Sequence, residues 1–406
     1  MIRLNVESKR FMDKKSILVF GVGELQQSII LRAKAMGLFV VGIDPCADAA
    51  CRNDVDAFEI VGGQDYDETM TVARKYGVSA VVTAATDKPL VMMAKVAKNL
   101  GLPFFTEETA VWSTDKYQMK QRFIEGDVPC ARGRLIHDSH EAEDMFFPVI
   151  CKPRDNSGSR GVKLCRNLEE LQECIDEALQ FSRLDTVLVE EFIEGQEYSV
   201  ESLHYNGKSE VIQFTEKRTT PFPYNVELGH TQPAALSEEQ KDAIREIICK
   251  ISICMKFENC PSHTELKINE RGIFVIETSP RLGGDYITSV LTPLSTGINV
   301  EDQLLHIALG ESADTVSGRT EKASAVCFFS FPEGVVKSID PDIDTVCDWP
   351  GVRSIMLKLK VGDTVGKITS SLNRYGQFIV ASSDRKQLDC QLSEYKSKIE
   401  SLITIA

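Results

Sequence analysis

From His263 to Glu277 the chain reads His263-Thr264-Glu265-Leu266-Lys267-Ile268, then Asn269-Glu270-Arg271-Gly272, then Ile273-Phe274-Val275-Ile276-Glu277. The outer segments alternate in polarity like strands, and the middle one has the composition of a tight turn. If Gly272 takes the left-handed position that follows a type I turn, the three-residue loop Glu270-Arg271-Gly272 pairs Asn269 with Ile273 and sets Glu265 opposite Glu277. One face then carries His263, Glu265, Lys267, Val275, Glu277 and Ser279. The other carries Thr264, Leu266, Ile268, Phe274 and Ile276, nearly all of it core. Opposed carboxylates repel, by up to about 1 kcal/mol, so a cation is expected between them. Mg²⁺ suits the pair because it takes hard oxygen ligands, commonly one or two carboxylates completed by substrate phosphates. The other reading is that Lys267, on the same face, neutralises the pair in a solvated surface network, and the hairpin alone does not choose between the two.

A second group of residues suits an anion. Lys152 ends the apolar strand Val149-Ile150-Cys151-Lys152, and a charge leaving a core usually has an anionic partner. The following Asp155-Asn156-Ser157-Gly158-Ser159-Arg160-Gly161 has glycines and small hydroxyls that let backbone N–H groups turn toward a phosphate, although a plain hairpin loop shares that composition. No GxxxxGK[ST] sequence occurs, which argues against a P-loop nucleoside triphosphatase. Gly21-Val22-Gly23-Glu24-Leu25-Gln26 looks like a dinucleotide turn with Asp44 where a ribose ligand would lie. Gln26 stands where the third glycine belongs, so NAD binding is the weaker reading.

These groups need a scaffold, and the chain has the length for one. Its 406 residues, 43% hydrophobic, suit two or three domains that bury well. Strands at 16–20, 39–43 and 78–83 alternate with helices ending at Met36, at 68–76 and at 89–100, the pattern of a parallel doubly wound sheet. That domain ends near Pro103. A helix after Thr114-Asp115-Lys116 opens a region of mixed strands and helices, and from about Ala323 short strands and turns close on a helix at 385–401. The twelve cysteines show no CxxC pair and read as reduced thiols of a cytoplasmic protein. No apolar signal core or bilayer-length run is present, so no membrane partner is expected. A net charge of -14 disfavours nucleic acid as a partner.

Taken together, Lys116, Lys152, the glycine loop, the run Glu190-Glu191-Phe192-Ile193-Glu194-Gly195-Gln196-Glu197 and the Glu265/Glu277 pair resemble the ATP-grasp superfamily in order and approximate spacing. The resemblance covers nearly the whole chain. His263 to Lys267, Gly229-His230-Thr231-Gln232-Pro233-Ala234 and Arg281-Leu282-Gly283-Gly284-Asp285 look most like the L-amino-acid (dipeptide) ligases of the carboxylate–amine ligase branch, including the carnosine-synthase type. The resemblance implies an α/β and α+β multidomain fold. Residues 1–105 would form a Rossmann-like substrate domain, 106–322 an ATP-grasp fold of two α+β subdomains with a lid at about 145–195, and 323–406 a small mixed α+β domain.

It further implies ATP and Mg²⁺ as cofactors, with Mn²⁺ able to take the metal's place. Lys116 and Lys152 would hold the ATP phosphates, and Ser157, Gly158, Ser159 and Gly161 would close over them. The backbone of Glu190, Glu191, Phe192 and Ile193 would read adenine, Glu197 would bind ribose hydroxyls, and Glu265 and Glu277 would hold metal. The family's Glu-x-Asn-x-Arg reads Glu277-Thr278-Ser279-Pro280-Arg281 here, so Ser279 offers a hydroxyl in place of an amide oxygen and leaves the number of metals open.

The implied reaction is phosphoryl transfer to a carboxylate and attack by an amine on the acyl phosphate, chemistry that depends on positioning and charge neutralisation. Arg281 would stabilise the oxyanion with its planar fork, or else salt-bridge Glu277. His230 would orient a substrate carboxylate or assist amine deprotonation, or else be hydrogen-bonded within its loop. Lys267 is the third catalytic candidate. Asp285 would contact an ammonium group or cap a helix beginning there, and Thr86-Asp87 would face the substrate pocket. Loops 155–162 and 217–233 are the candidate lids that keep water from the acyl phosphate. The partners implied are a small-molecule carboxylate and an amine, and a homodimer is compatible with such folds. Two alternatives stay open: a carboxyphosphate-forming carboxylase of the biotin carboxylase or purine-biosynthesis type, and a non-catalytic nucleotide-binding protein.

Overall fold

The computed structural model describes residues 14–156, 158 and 160–406. Its first domain is a four-stranded parallel sheet in the order Ala57–Ile60, Phe39–Asp44, Ser16–Phe20, Val78–Val82. Ser16–Phe20 is buried along its whole length, as expected of a central parallel strand with helices on both faces, here Gln27–Ala35, Tyr66–Lys75 and Leu90–Leu100. The edge strand Ala57–Ile60 was not anticipated; it is short and only half-buried, so it lacks the apolar run that marks its neighbours.

The dinucleotide-like turn is filled from within. Asp44 accepts hydrogen bonds from the amides of Val22 and Cys46 at 2.9 and 2.8 Å. Gln26 is buried, accepting from the Gly23 amide and donating to the Ala84 carbonyl. Where a third glycine would allow close helix–strand packing, a buried glutamine side chain instead ties the turn to Gly23 and Ala84, which gives the weak NAD reading its physical reason.

The central region holds two sheets. A four-stranded antiparallel sheet, ordered Gly133–Ile136, Val187–Glu191, Val149–Pro153, Lys163–Cys165, is backed by the helix Leu168–Gln180. That helix presents Leu171, Cys174, Ile175 and Ala178 to the sheet, one stripe at helical spacing. The second sheet has eight antiparallel strands: Gly272–Ser279, Cys260–Asn269, Gln196–Tyr205, Lys208–Thr219, Glu227–Gln232, Ala323–Phe328, Gly376–Ser382 and Val352–Leu357. The last three belong to the segment expected to form a separate small domain. Ladder hydrogen bonds between Glu227–Gln232 and Ala323–Phe328 therefore carry the central sheet across the 322/323 boundary. Helix Arg385–Ser401 covers the far end. Among the described residues no helix is long and apolar enough to cross a membrane.

Candidate active site

The hairpin reaches the expected pairing by a different route. Asn269 pairs with Gly272, so the loop is the two residues Glu270 and Arg271, and taken alone this register would leave Glu265 out of step with Glu277. A bulge at Ile276 restores the step: Leu266 pairs with Val275 and Glu265 with Glu277. The faces differ accordingly from the expected ones. Val275 is core, Phe274 pairs with Lys267, and Ile276 joins Glu277 in lining the cavity.

That cavity, about 340 Å³, is walled by residues of the first sheet's domain, of the central region and, through Ser371, of the C-terminal segment. Lys116, Lys152, Gly158, Glu190, Glu191, Phe192, Ile193, Glu197, His230, Glu265, Lys267, Glu277 and Arg281 line it, as do Asp87 and Asp285. Gly161 does not; its φ of +73° turns the chain beside Phe181, Ala178 and Pro153. Ser157 and Ser159 lie outside the described residues.

Each of the two carboxylates is met by a lysine of its own, and neither lysine is Lys267. Lys217 Nζ lies 2.8 Å from Glu265, 2.8 Å from Glu197 and 3.5 Å from Glu227. Burial opposes its charge, but the three carboxylates overcome that and hold it protonated well above its ordinary range. Lys116 Nζ meets Glu277 at 3.2 Å and donates to the Asn156 carbonyl at 2.7 Å. Its position is set by Asp115, which caps the helix Lys116–Glu125 by accepting from the Tyr117 and Gln118 amides. Lys267 reaches only Glu197, at 3.9 Å, and its ammonium sits 5.3 Å from the centroids of both Phe192 and Phe222. Burial lowers its pKa. The expected surface network on Lys267 is thus replaced by buried pairs on Lys217 and Lys116.

Lys152 also has a partner in place. It pairs with Glu190, which Lys120 holds from its other side. Burial alone would raise the Glu190 carboxyl, yet the two lysines hold it below its ordinary value. Lys120 was missed, although its place one helical turn after Lys116 was a usable signal. Lys217 was missed too. Its signal was a charge on a strand whose neighbouring same-face residue, Thr215, is wholly buried.

At the other end, Arg281 does not pair with Glu277. Its Nε donates to Asp87 Oδ1 at 2.9 Å, and the Ser279 hydroxyl donates to the same oxygen at 2.6 Å. The Ser279 hydroxyl thereby gives its proton to the first domain and keeps its oxygen lone pairs. Asp285 caps no helix. Its carboxylate takes both Nη atoms of Arg374 at 2.7 Å, and His230 Nε2 lies 3.5 Å away. The Nδ1 of His230 is buried without a partner. Between the two ends, His263 Nδ1 bonds Glu201 at 2.6 Å and its Nε2 reaches Glu265 at 3.3 Å. Burial disfavours the imidazolium, but these carboxylates raise its pKa to about 9.

Among the described residues no three His, Cys, Asp or Glu side chains gather as a metal-binding set. Two opposed carboxylates suit Mg²⁺ on the condition that phosphates and water complete the shell.

The ATP-grasp domain family matches residues 145–289, and L-amino acid ligase C-terminal domain 2 matches residues 327–401. An uncharacterized protein of Sinorhizobium fredii is 27% identical over 318 residues, 76% of this chain and 65% of that one. Alanine–anticapsin ligase of Bacillus amyloliquefaciens is 25% identical over 284 residues, 63% of this chain and 59% of its own. The chain thus spans about six tenths of the length of these relatives. The crystal structure of an L-amino acid ligase from Bacillus licheniformis superposes with a TM-score of 0.82 at 19% identity, covering 97% of this chain and 98% of that one, a likeness of fold. On these matches residues 145–289 are an ATP-grasp domain and residues 327–401 are similar to the L-amino acid ligase C-terminal domain 2.

Proposed function

We propose that the protein is an ATP-dependent carboxylate–amine ligase. It forms an amide or peptide bond through an acyl phosphate and releases ADP and phosphate, and its substrates are amino acids or similarly small metabolites. The observation that carries the reading is one cavity with opposed carboxylates and lysines at one end and an arginine paired to Asp87 at the other.

Lys116 and Lys217 are point charges on flexible stems, so each can turn from its carboxylate to a phosphate oxygen. Mg²⁺ held by Glu265 and Glu277 would supply charge neutralisation for the transferring phosphoryl group. The amides of Glu191 and Phe192 already donate to the carbonyls of Arg132 and Pro148, which moves the adenine contact toward Ile193. Glu197 keeps its ribose role with one oxygen on Lys217 and the other accepting from Asn225 at 3.3 Å. Arg281, oriented by Asp87, presents the remainder of its fork to a developing oxyanion. His263 is held protonated, so it is no base near neutral pH. His230, which lines the cavity beside Asp285, is the candidate to take the amine proton.

The test is ADP and phosphate release across a panel of amino-acid pairs. Release that needs acid and amine together supports the ligase, whereas stimulation by bicarbonate alone replaces it with a carboxyphosphate-forming carboxylase.

A further inference from the structure

We infer that Arg374, delivered by the C-terminal domain, is a positioning residue for the amine end of the site. It acts through Asp285 on the turn that carries Arg281. The effect on reaction rests on the ligase reading, while the positioning itself does not.

Asp285 and Tyr286 have φ of +49° and +66°. Two successive side-chain-bearing residues in the left-handed region, one of them aromatic, persist only where the surroundings hold them. Both holders come from beyond residue 323. Arg374 grips the Asp285 carboxylate with both Nη atoms, and Gln377 Nε2 donates to the Tyr286 hydroxyl at 2.8 Å. Arg374 is itself fixed: its Nε donates to the Ser371 carbonyl at 3.0 Å, and its guanidinium lies 3.6 Å from the centroid of the Phe328 ring. Its Nη1 also reaches the Glu227 carbonyl, at 3.4 Å, in the 217–233 segment.

The turn is pinned on its other sides as well. Arg281 is bound to Asp87 of the first domain. At Gly283 an added Cβ would come within 2.8 Å of His263 Nδ1 and 2.9 Å of Glu201 Oε2, so the backbone lies directly on the hairpin side. Loss of Arg374 releases one of these four restraints and removes no contact of Glu265 or Glu277. Lysine cannot replace it, since an ammonium has no fork.

The experiment compares Arg374→Ala, Arg374→Lys and Asp285→Asn with wild type by steady-state kinetics and by amide hydrogen exchange. The expected result for Arg374→Ala is a fall in kcat of about tenfold to a hundredfold with the KM for ATP within about twofold. Exchange should quicken at residues 283–290 and stay unchanged at 260–279. Arg374→Lys should recover only a small part of the rate. Should Arg374→Ala not fold, Asp285→Asn, which keeps the shape and weakens the grip, should show the same local exchange. Wild-type exchange at 283–290 in the variants overturns the inference, as does a loss shared equally between kcat and the KM for ATP. If wild type ligates no pair in the panel, the ligase reading fails, and the exchange pattern alone still decides the positioning role.

Discussion

The two ends of the cavity are charge-balanced by different chemistry. At the nucleotide end, Glu265, Glu277, Glu197 and Glu190 are met by lysine ammonium groups. At the substrate end, Asp87 and Asp285 are met by the planar guanidinium groups of Arg281 and Arg374. A lysine offers a single charge on a long stem and can change partners, whereas a bidentate arginine fixes both position and orientation. The first arrangement suits a site whose anions arrive and leave with each turnover. The second suits one whose geometry must be ready beforehand. The ends also differ in origin: the arginine pairs join residues 194 and 89 positions apart, drawn from three domains.

The strongest way to break this contrast is Glu277→Gln. It removes one of two opposed carboxylates without changing shape. Mg²⁺-dependent turnover should fall about 10³–10⁴-fold, equivalent to about 4–5.5 kcal/mol, while circular dichroism shows a folded protein. Unchanged activity would sink the metal assignment. Next in size is Lys217→Met, which leaves Glu197, Glu265 and Glu227 close together with only His263 beside Glu265 and the 3.9 Å contact of Lys267 to Glu197 against them. Removing one partner from a buried charge cluster costs about 3–5 kcal/mol, so the variant should melt well below wild type. Mg²⁺ with ADP should restore more of the melting temperature to the variant than to wild type, because it brings back a cation. Equal shifts in both proteins would contradict the idea that lysine and metal exchange at these carboxylates.

How much of this was legible follows from the same contrast. The nucleotide end could be read because its groups lie on neighbouring strands and turns, where period-two alternation and short spacing carry the geometry. Even there, the Glu265/Glu277 pairing was reached through the wrong loop, since a bulge at Ile276 leaves no mark in a run of apolar residues. Lys217 escaped notice because its partners come from three other strands. Arg374 was out of reach altogether. Its partner depends on the C-terminal segment joining the central sheet, and nothing local to residues 370–376 indicates that. The doubly wound first domain was the easiest part, because alternating buried strands and amphipathic helices are local signals.

His263 is the joint between the ends and gives the contrast a pH signature. Its folded pKa of about 9 lies above the ordinary value of 6.5. The stabilisation is therefore fully present below about pH 6.5 and is lost as pH rises through about 9, about 3 kcal/mol over that window. The urea midpoint of wild type should fall across this range more steeply than that of His263→Asn. Mg²⁺ with ADP should flatten the wild-type slope, since a cation at Glu265 competes with the imidazolium. A slope identical in both proteins would place the proton elsewhere.

The smallest effect is expected from Glu197→Gln, and it asks whether a residue inside the lysine network also touches nucleotide. Glu265 and Glu227 remain to balance Lys217, so stability should change little, and glutamine keeps one acceptor oxygen. If Glu197 binds ribose, the KM for ATP should rise about tenfold, or about 1.4 kcal/mol, with kcat nearly unchanged, because a contact made equally in ground and transition states contributes binding alone. Dideoxy-ATP should then raise KM in wild type and add nothing further in the variant, since both changes remove the same hydrogen bonds. A fall confined to kcat would instead assign Glu197 to the charge network around Lys217, which under the proposed ligase reaction is the part of the site that acts on the transferring phosphate.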